Sequence, residues 1–214
     1  MYTFVTHTWN TVKGECPHKC SYCYMQRFGQ RPPVRFDLSE LRTNLGQGNY
    51  IFVGSSNDLF ASDIPEEWIR KTLDHCFRYD NKYMFQTKNP SRFLEFIQSP
   101  VISQQVQVCT TIETNRWYEG IMKNCPPPQE RAAAMETASK SVQTLVTIEP
   151  ILDFDLAEMV SLIRQCNPVQ VNIGADSGHN NLPEPDAGKI TALINELKQF
   201  TVIDQKRNLY RILR

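Results

Sequence analysis

One pattern limits the possible folds of this chain more than any other. Six short runs rich in β-branched and aromatic residues alternate with longer stretches of helical periodicity. The runs are Tyr2–Trp9, Tyr50–Gly54, Lys82–Thr87, Val106–Ile112, Val142–Glu149 and Pro168–Gly174. Several are almost continuously apolar, as in Tyr50-Ile-Phe-Val53, which suits strands covered on both faces of a parallel sheet. Between them, Pro65–Phe77 puts Trp68, Ile69, Leu73 and Cys76 or Phe77 on one helical stripe, behind a first turn carrying Glu66 and Glu67. The spacing also predicts helices over Ser91–Gln98, Leu156–Gln165 and Ala187–Phe200, and a weaker one over Gln129–Lys140 after Cys125-Pro-Pro-Pro128.

Repeated βα units give parallel strands joined by right-handed crossovers. An eight-unit barrel typically takes ~250 residues, and at least ~200. Six units in 214 residues therefore predict an α/β fold with a curved parallel sheet, a partial (β/α)6 TIM-like barrel. A flat doubly wound sheet remains the alternative, and in either the site lies at the C-terminal ends of the strands. The expected organisation is one domain over 1–214, with a core of about 1–186 and C-terminal helices over about 187–214.

Composition narrows the classes. Lys+Arg and Asp+Glu are 23 each, so nucleic-acid binding would need a local patch rather than a global basic field. No apolar run approaches the ~20 residues of a membrane span. The opening MYTFVTHTWN has no signal-peptide pattern, so the expected location is the cytoplasm, or a host's cytoplasm for a phage-encoded chain.

Seven cysteines are an odd number, and three of them crowd into Gly14-Glu-Cys16-Pro-His-Lys-Cys20-Ser-Tyr-Cys23-Tyr24 after the first predicted strand. In a reducing compartment such clustering points to metal or catalysis before disulfides. Three thiolates on one loop can hold three irons of a [4Fe–4S] cube and leave the fourth without a protein ligand. Structural zinc is the competing reading, but it needs a second donor pair; here only scattered His75, Cys76 and His179 are on offer. His18 reads as a solvated loop residue.

The C-x3-C-x-aromatic-C pattern, with Tyr22 at the aromatic position, resembles the radical S-adenosylmethionine (SAM) superfamily. Trp9-Asn10, Phe52-Val-Gly-Ser-Ser-Asn-Asp-Leu-Phe60, Gln86-Thr-Lys-Asn-Pro90, Thr147-Ile-Glu-Pro150 and Gly174-Ala-Asp-Ser-Gly178 are similar to a small phage and bacterial branch of it, distantly similar to spore photoproduct lyase. The resemblance implies a [4Fe–4S] cluster on Cys16, Cys20 and Cys23, with SAM on the open iron and a flavodoxin or ferredoxin type of low-potential electron donor. It implies reductive cleavage to a 5′-deoxyadenosyl radical that abstracts hydrogen from substrate. Tyr22 would meet the adenine through its backbone. Gly54-Ser55-Ser56 stands where the family has Gly-Gly-Glu, with Asp58 as the nearest carboxylate. Thr111 and Glu113 are candidates for the ribose, Asn172 and Gly174 for the adenine, and Glu149 for a cofactor or substrate contact. Glu113 could instead be the N-terminal charge of a helix over Thr114–Met122, and Ser55 and Ser56 plain turn residues. Lys88, Asp176 and His179 share the rim, each readable as a solvated loop residue.

For the substrate, Lys13, Lys19, Arg27, Arg31, Arg35 and Arg42 with Tyr24, Phe28 and Phe36 suggest phosphate binding and base stacking, with Lys206, Arg207, Arg211 and Arg214 as a second basic stretch. This leads to modification of a nucleic-acid base or nucleotide. A small molecule or peptide is the alternative substrate, and a non-catalytic Fe–S or zinc module the alternative class.

Overall fold

The computed structural model describes residues 2–97 and 104–214. In chain order come β1 (His7–Trp9), a two-stranded antiparallel ribbon of β2 (Val12–Lys13) and β3 (Arg35–Phe36), then β4 (Tyr50–Val53), β5 (Lys82–Gln86), β6 (Val106–Thr111), β7 (Gln143–Ile148), β8 (Gln170–Ile173) and β9 (Val202–Gln205). Apart from the ribbon, the strands make one 7-stranded sheet in the order β1-β4-β5-β6-β7-β8-β9, every pair parallel. Spatial order follows chain order without reversal. Right-handed crossovers then all fall on one side of the sheet, whereas a doubly wound sheet needs a switch point to place helices on both. The fold is thus an open, partial barrel, as expected, with edges at β1 and β9 and no closure.

The helices are α1 (Glu66–Cys76), α2 (Pro90–Phe93), α3 (Glu119–Met122), α4 (Pro128–Ala138), α5 (Leu156–Gln165), α6 (Ala187–Leu197) and α7 (Tyr210–Leu213). Ile51, Val53, Tyr83, Phe85, Val108, Val146, Val171 and Ile173 of the strands pack against Ile69, Leu73, Phe93, Met135, Met159, Ile163, Ile190 and Leu193 of the helices. Each such side chain contributes ~1.5–3 kcal/mol on burial. The alternate strand positions face the other way. Met84, Cys109 and Leu145 form a second, smaller cluster, and Tyr2 and Val5 of the N-terminal segment lie over it. The concave face is therefore plugged from one end by the chain's first residues.

Several expectations need correction. The stretch from 187 is not all helix: β9 joins the main sheet as a seventh strand. Its sequence, Val202-Ile-Asp-Gln205, is short and half polar because it is an edge strand, with Val202 exposed. The helix over Thr114–Met122 shrinks to α3, because Thr114 Oγ1 bonds the Asp153 carbonyl (2.7 Å) and Arg116 reaches Asp153 and Asp155, pinning the segment to the loop after β7. α2 ends at Phe93, and Gln98, the last residue of the predicted Ser91–Gln98 helix, lies outside the described residues. No helix among the described residues is long and apolar enough to cross a membrane.

Candidate functional site

The cysteine loop does not leave β1 directly. The β2–β3 ribbon intervenes and ties the two ends of the loop together. Gly14, at φ +100°, turns the chain so close to Pro33 that a Cβ would lie 2.4 Å from its carbonyl oxygen. A second segment, the end of α3 and the residues after it, lies along the loop. Ser21 N–H donates to the Ile121 carbonyl (3.0 Å), Asn124 N–H to the His18 carbonyl (3.2 Å) and the Asn124 side chain to the Pro17 carbonyl (2.9 Å).

His18 is buried, not solvated, and its Nε2 lies 2.8 Å from Asp58 Oδ2. Asp58 also accepts from Thr87 Oγ1 (3.1 Å) and from the backbone N–H groups of Lys88 (2.7 Å) and Phe60 (2.9 Å). Burial works against the Asp58 carboxylate, but the His18 imidazolium and these donors hold its pKa below the usual value. The pair clamps the cysteine loop to the loops after β4 and β5, so Asp58 is engaged and not a free acceptor for an ammonium group.

Glu113, just past β6, is completely buried. Its Oε2 accepts from Arg131 Nη1 at 2.7 Å, and Tyr22 of the cysteine loop donates its hydroxyl to Oε1. Lys88 Nζ is 3.7 Å from Oε1, 3.2 Å from Thr111 Oγ1 and 5.3 Å from the centre of the Tyr22 ring. Burial would raise the Glu113 pKa; Arg131 and Lys88 reverse that and hold it low. Burial and the neighbouring carboxylate push the Tyr22 phenol up. Glu113 is therefore not a helix N-terminal charge, and Lys88 is not a solvated rim residue. Arg131, fully buried on α4 and also donating to the Thr111 and Pro126 carbonyls, was not singled out by sequence reasoning.

At the other side of the mouth, Glu149 accepts from Asn208 Nδ2 (2.9 Å) and pairs with Lys206. Gly174 sits against both: a Cβ there would lie 2.8 Å from Glu149 Oε1 and 3.0 Å from Asn208 Oδ1, so a side chain there would push these two groups aside. Lys206 Nζ stands 4.6 Å over the ring of Tyr2, whose hydroxyl donates to Gln86 Oε1 (2.9 Å). Thr111, Thr147 and Asn172 occupy one register row across β6, β7 and β8, so their side chains share the concave face. Thr147 Oγ1 is buried there, with no hydrogen-bond partner among the described residues. Tyr2 and Asn208 were not singled out by sequence reasoning and Lys206 only as part of a basic stretch; the topology carries all three to the mouth.

Gly54 (φ +79°), Ser55 and Ser56 form a turn laced to Asn10, whose Oδ1 accepts from Ser56 N–H (2.9 Å) and both serine hydroxyls. The Ser55 carbonyl accepts from Tyr24 (2.6 Å). Asp176 folds back on its own loop, binding Gly178 N–H (2.9 Å) and the Asn180 side chain (2.7 Å), while His179 is exposed.

Some members of the basic stretches are held in ion pairs. Lys13 pairs with Asp37 and Glu40, Lys206 with Glu149, and Arg211 with Glu184. Phe36 stacks on Trp68 against the core, leaving Tyr24 and Phe28 exposed under Arg27.

Cys16, Cys20 and Cys23 are unpaired thiols on this one loop. Cys20 Sγ lies 3.2 Å from Cys125 Sγ, and this contact holds the Cys20 thiol below its usual pKa. Burial, with the Asp58 charge, pushes Cys16 up to about 12, so a metal must displace its proton. Among the described residues no three Cys, His, Asp or Glu donors converge as a single metal ion requires. A lone zinc needs its donors ~2.0–2.3 Å from one centre. A cube takes each thiolate on a different iron. The donor set, three soft thiols closely spaced on one loop, fits the cube.

No family model and no curated sequence matches the chain. Among solved structures, methylornithine synthase (PylB) superposes with a TM-score of 0.56 at 12% identity, over 93% of this chain and 64% of that one. SuiB of Streptococcus suis, solved with its precursor peptide SuiA, superposes with a TM-score of 0.60 at 10% identity, over 96% of this chain and 50% of that one. The chain thus spans less than two thirds of either protein. At these identities the likeness establishes the fold they share.

Proposed function

We propose that this chain is a radical SAM enzyme acting on an amino acid or a peptide. The observation that carries the reading is the trio of unpaired cysteines, on one loop, over the C-terminal mouth of an open parallel barrel. Cys16, Cys20 and Cys23 hold the [4Fe–4S] cluster. Once bound, that group supplies a low-potential electron to SAM, from a flavodoxin or ferredoxin type of donor, and so the 5′-deoxyadenosyl radical that takes hydrogen from substrate.

The chain's residues then have separable roles. With Asp58 occupied, the ammonium of SAM is left to the backbone carbonyls and hydroxyls of Gly54, Ser55 and Ser56. Thr111 receives the ribose, and Glu113, kept ionised by Arg131 and taken up by Tyr22, positions the cysteine loop beside it. Tyr22, Asn172 and Gly174 border the adenine. Glu149 with Lys206, and the Thr147 hydroxyl, bind substrate: a charge pair and a hydroxyl beside the amides of Gln86 and Asn172 suit ammonium, carboxylate and amide groups.

The nucleic-acid substrate expected from the sequence loses part of its basis, because Lys13, Lys206 and Arg211 are held in ion pairs and Phe36 is packed on Trp68, leaving Arg27 with Tyr24 and Phe28 exposed. Neither structural relative lends it support, since their names specify an amino-acid synthase and a precursor peptide. The narrower resemblance to spore photoproduct lyase and the phage branch rests on the sequence segments alone.

Anaerobic reconstitution, then dithionite and SAM, should give equal amounts of 5′-deoxyadenosine and methionine. A protein that binds iron and sulfide yet yields neither would be a binding module. Deuterium transfer into 5′-deoxyadenosine from labelled amino acids, peptides and nucleosides then separates the substrate classes.

A further inference from the structure

A fourth cysteine reaches the site from a distant part of the chain. Cys125 Sγ lies 3.2 Å from Cys20 Sγ, and both side chains are buried. The approach is fixed from two sides. The backbone bonds from Ser21 to Ile121 and from Asn124 to His18 hold the segment 121–125 along the cysteine loop. Beyond it, three prolines, Pro126 to Pro128, restrict the backbone, and the Pro126 carbonyl accepts from Arg131 Nε (2.7 Å). Arg131 is itself anchored on Glu113.

We infer that the Cys125 thiol donates an S–H hydrogen bond to the Cys20 thiolate and so raises the reduction potential of the cluster that Cys20 holds. This rests on the reading of the three cysteines given above. The direction of the bond follows from the roles: a ligating sulfur carries no proton, so Cys125 is the donor. Hydrogen bonds to ligand sulfurs are among the factors that set cluster potentials. A donor stabilises the extra negative charge of the reduced cluster, which moves the potential upward and makes the first electron easier to deliver. Cys125 is a positioning residue here, acting only through Cys20.

The test is an anaerobic redox titration, followed by electron paramagnetic resonance, of reconstituted wild type, Cys125→Val and Cys125→Ser. Valine fills the space without a donor, and serine restores one. The expected result is wild-type iron content in all three, a midpoint shifted to lower potential in Cys125→Val, and recovery of most of that shift in Cys125→Ser. An unchanged midpoint in Cys125→Val would show that the thiol only packs. Iron lost from both variants would make Cys125 a ligand and overturn the inference while leaving a cluster in place. Wild-type protein that takes up no iron and sulfide at all would instead overturn the reading of the cysteine trio, and this inference with it.

Discussion

The two faces of the sheet are built on different principles. The convex face meets the helices through Ile51, Val53, Phe85, Val146 and Ile173 packed on Ile69, Phe93, Met159 and Ile163, all apolar and all closed to water. The concave face and its mouth bury Asp58 with His18, Glu113 with Arg131, and the Thr147 hydroxyl. Apolar packing stabilises wherever it occurs. A buried ion pair contributes little net stability, and its partners are costly to separate. The first face therefore holds the molecule together, and the second holds charges in fixed places at some cost to stability.

Substitutions can break this division. The largest effect is expected at the loop: Cys16→Ala, Cys20→Ala or Cys23→Ala should abolish 5′-deoxyadenosine formation, while Cys109→Ala or Cys166→Ala should leave iron content unchanged. Next comes Arg131→Met, which strands the Glu113 carboxylate and should cost about 3–5 kcal/mol. In a domain of this size that is a fall in Tm on the order of 6–20 °C. On the convex face, Ile163→Ala should cost about 2–5 kcal/mol from its cavity, yet leave the iron content of the folded fraction intact. If it stripped the loop of iron, the two faces would not be separable.

A pH profile sharpens the comparison further. Glu113 has a folded-state pKa below its unfolded value, so its contribution is present above the unfolded value of ~4.3 and is lost as pH falls through the folded value. Glu113→Gln should accordingly flatten the acid side of the stability curve, and Ile163→Ala should only lower it. The smallest effect belongs to the exposed Glu66–Arg70 pair on α1, where Arg70→Ala should cost less than ~0.5 kcal/mol.

How much of this was legible in the sequence follows the same division. Amphipathic spacing on α1, α5 and α6 and the apolar runs of β4 to β8 read directly as helices and strands, since apolar burial imposes a period. The cysteine loop was legible because spacing within one loop survives folding. Arg131, Asn208 and Tyr2 were not, and Lys206 was read only as part of a basic stretch, because each reaches the mouth through long-range packing that leaves no local pattern. His18 and Lys88 looked solvated for the same reason: their partners Asp58 and Glu113 lie 40 and 25 residues away along the chain.

The central claim is most directly tested by counting iron and sulfide in anaerobically reconstituted protein and recording its paramagnetic resonance spectrum before and after adding SAM. The account predicts about four of each per chain, and a reduced-cluster signal that changes shape when SAM occupies the open iron. One zinc per chain without sulfide, or a cluster whose spectrum ignores SAM, would contradict it.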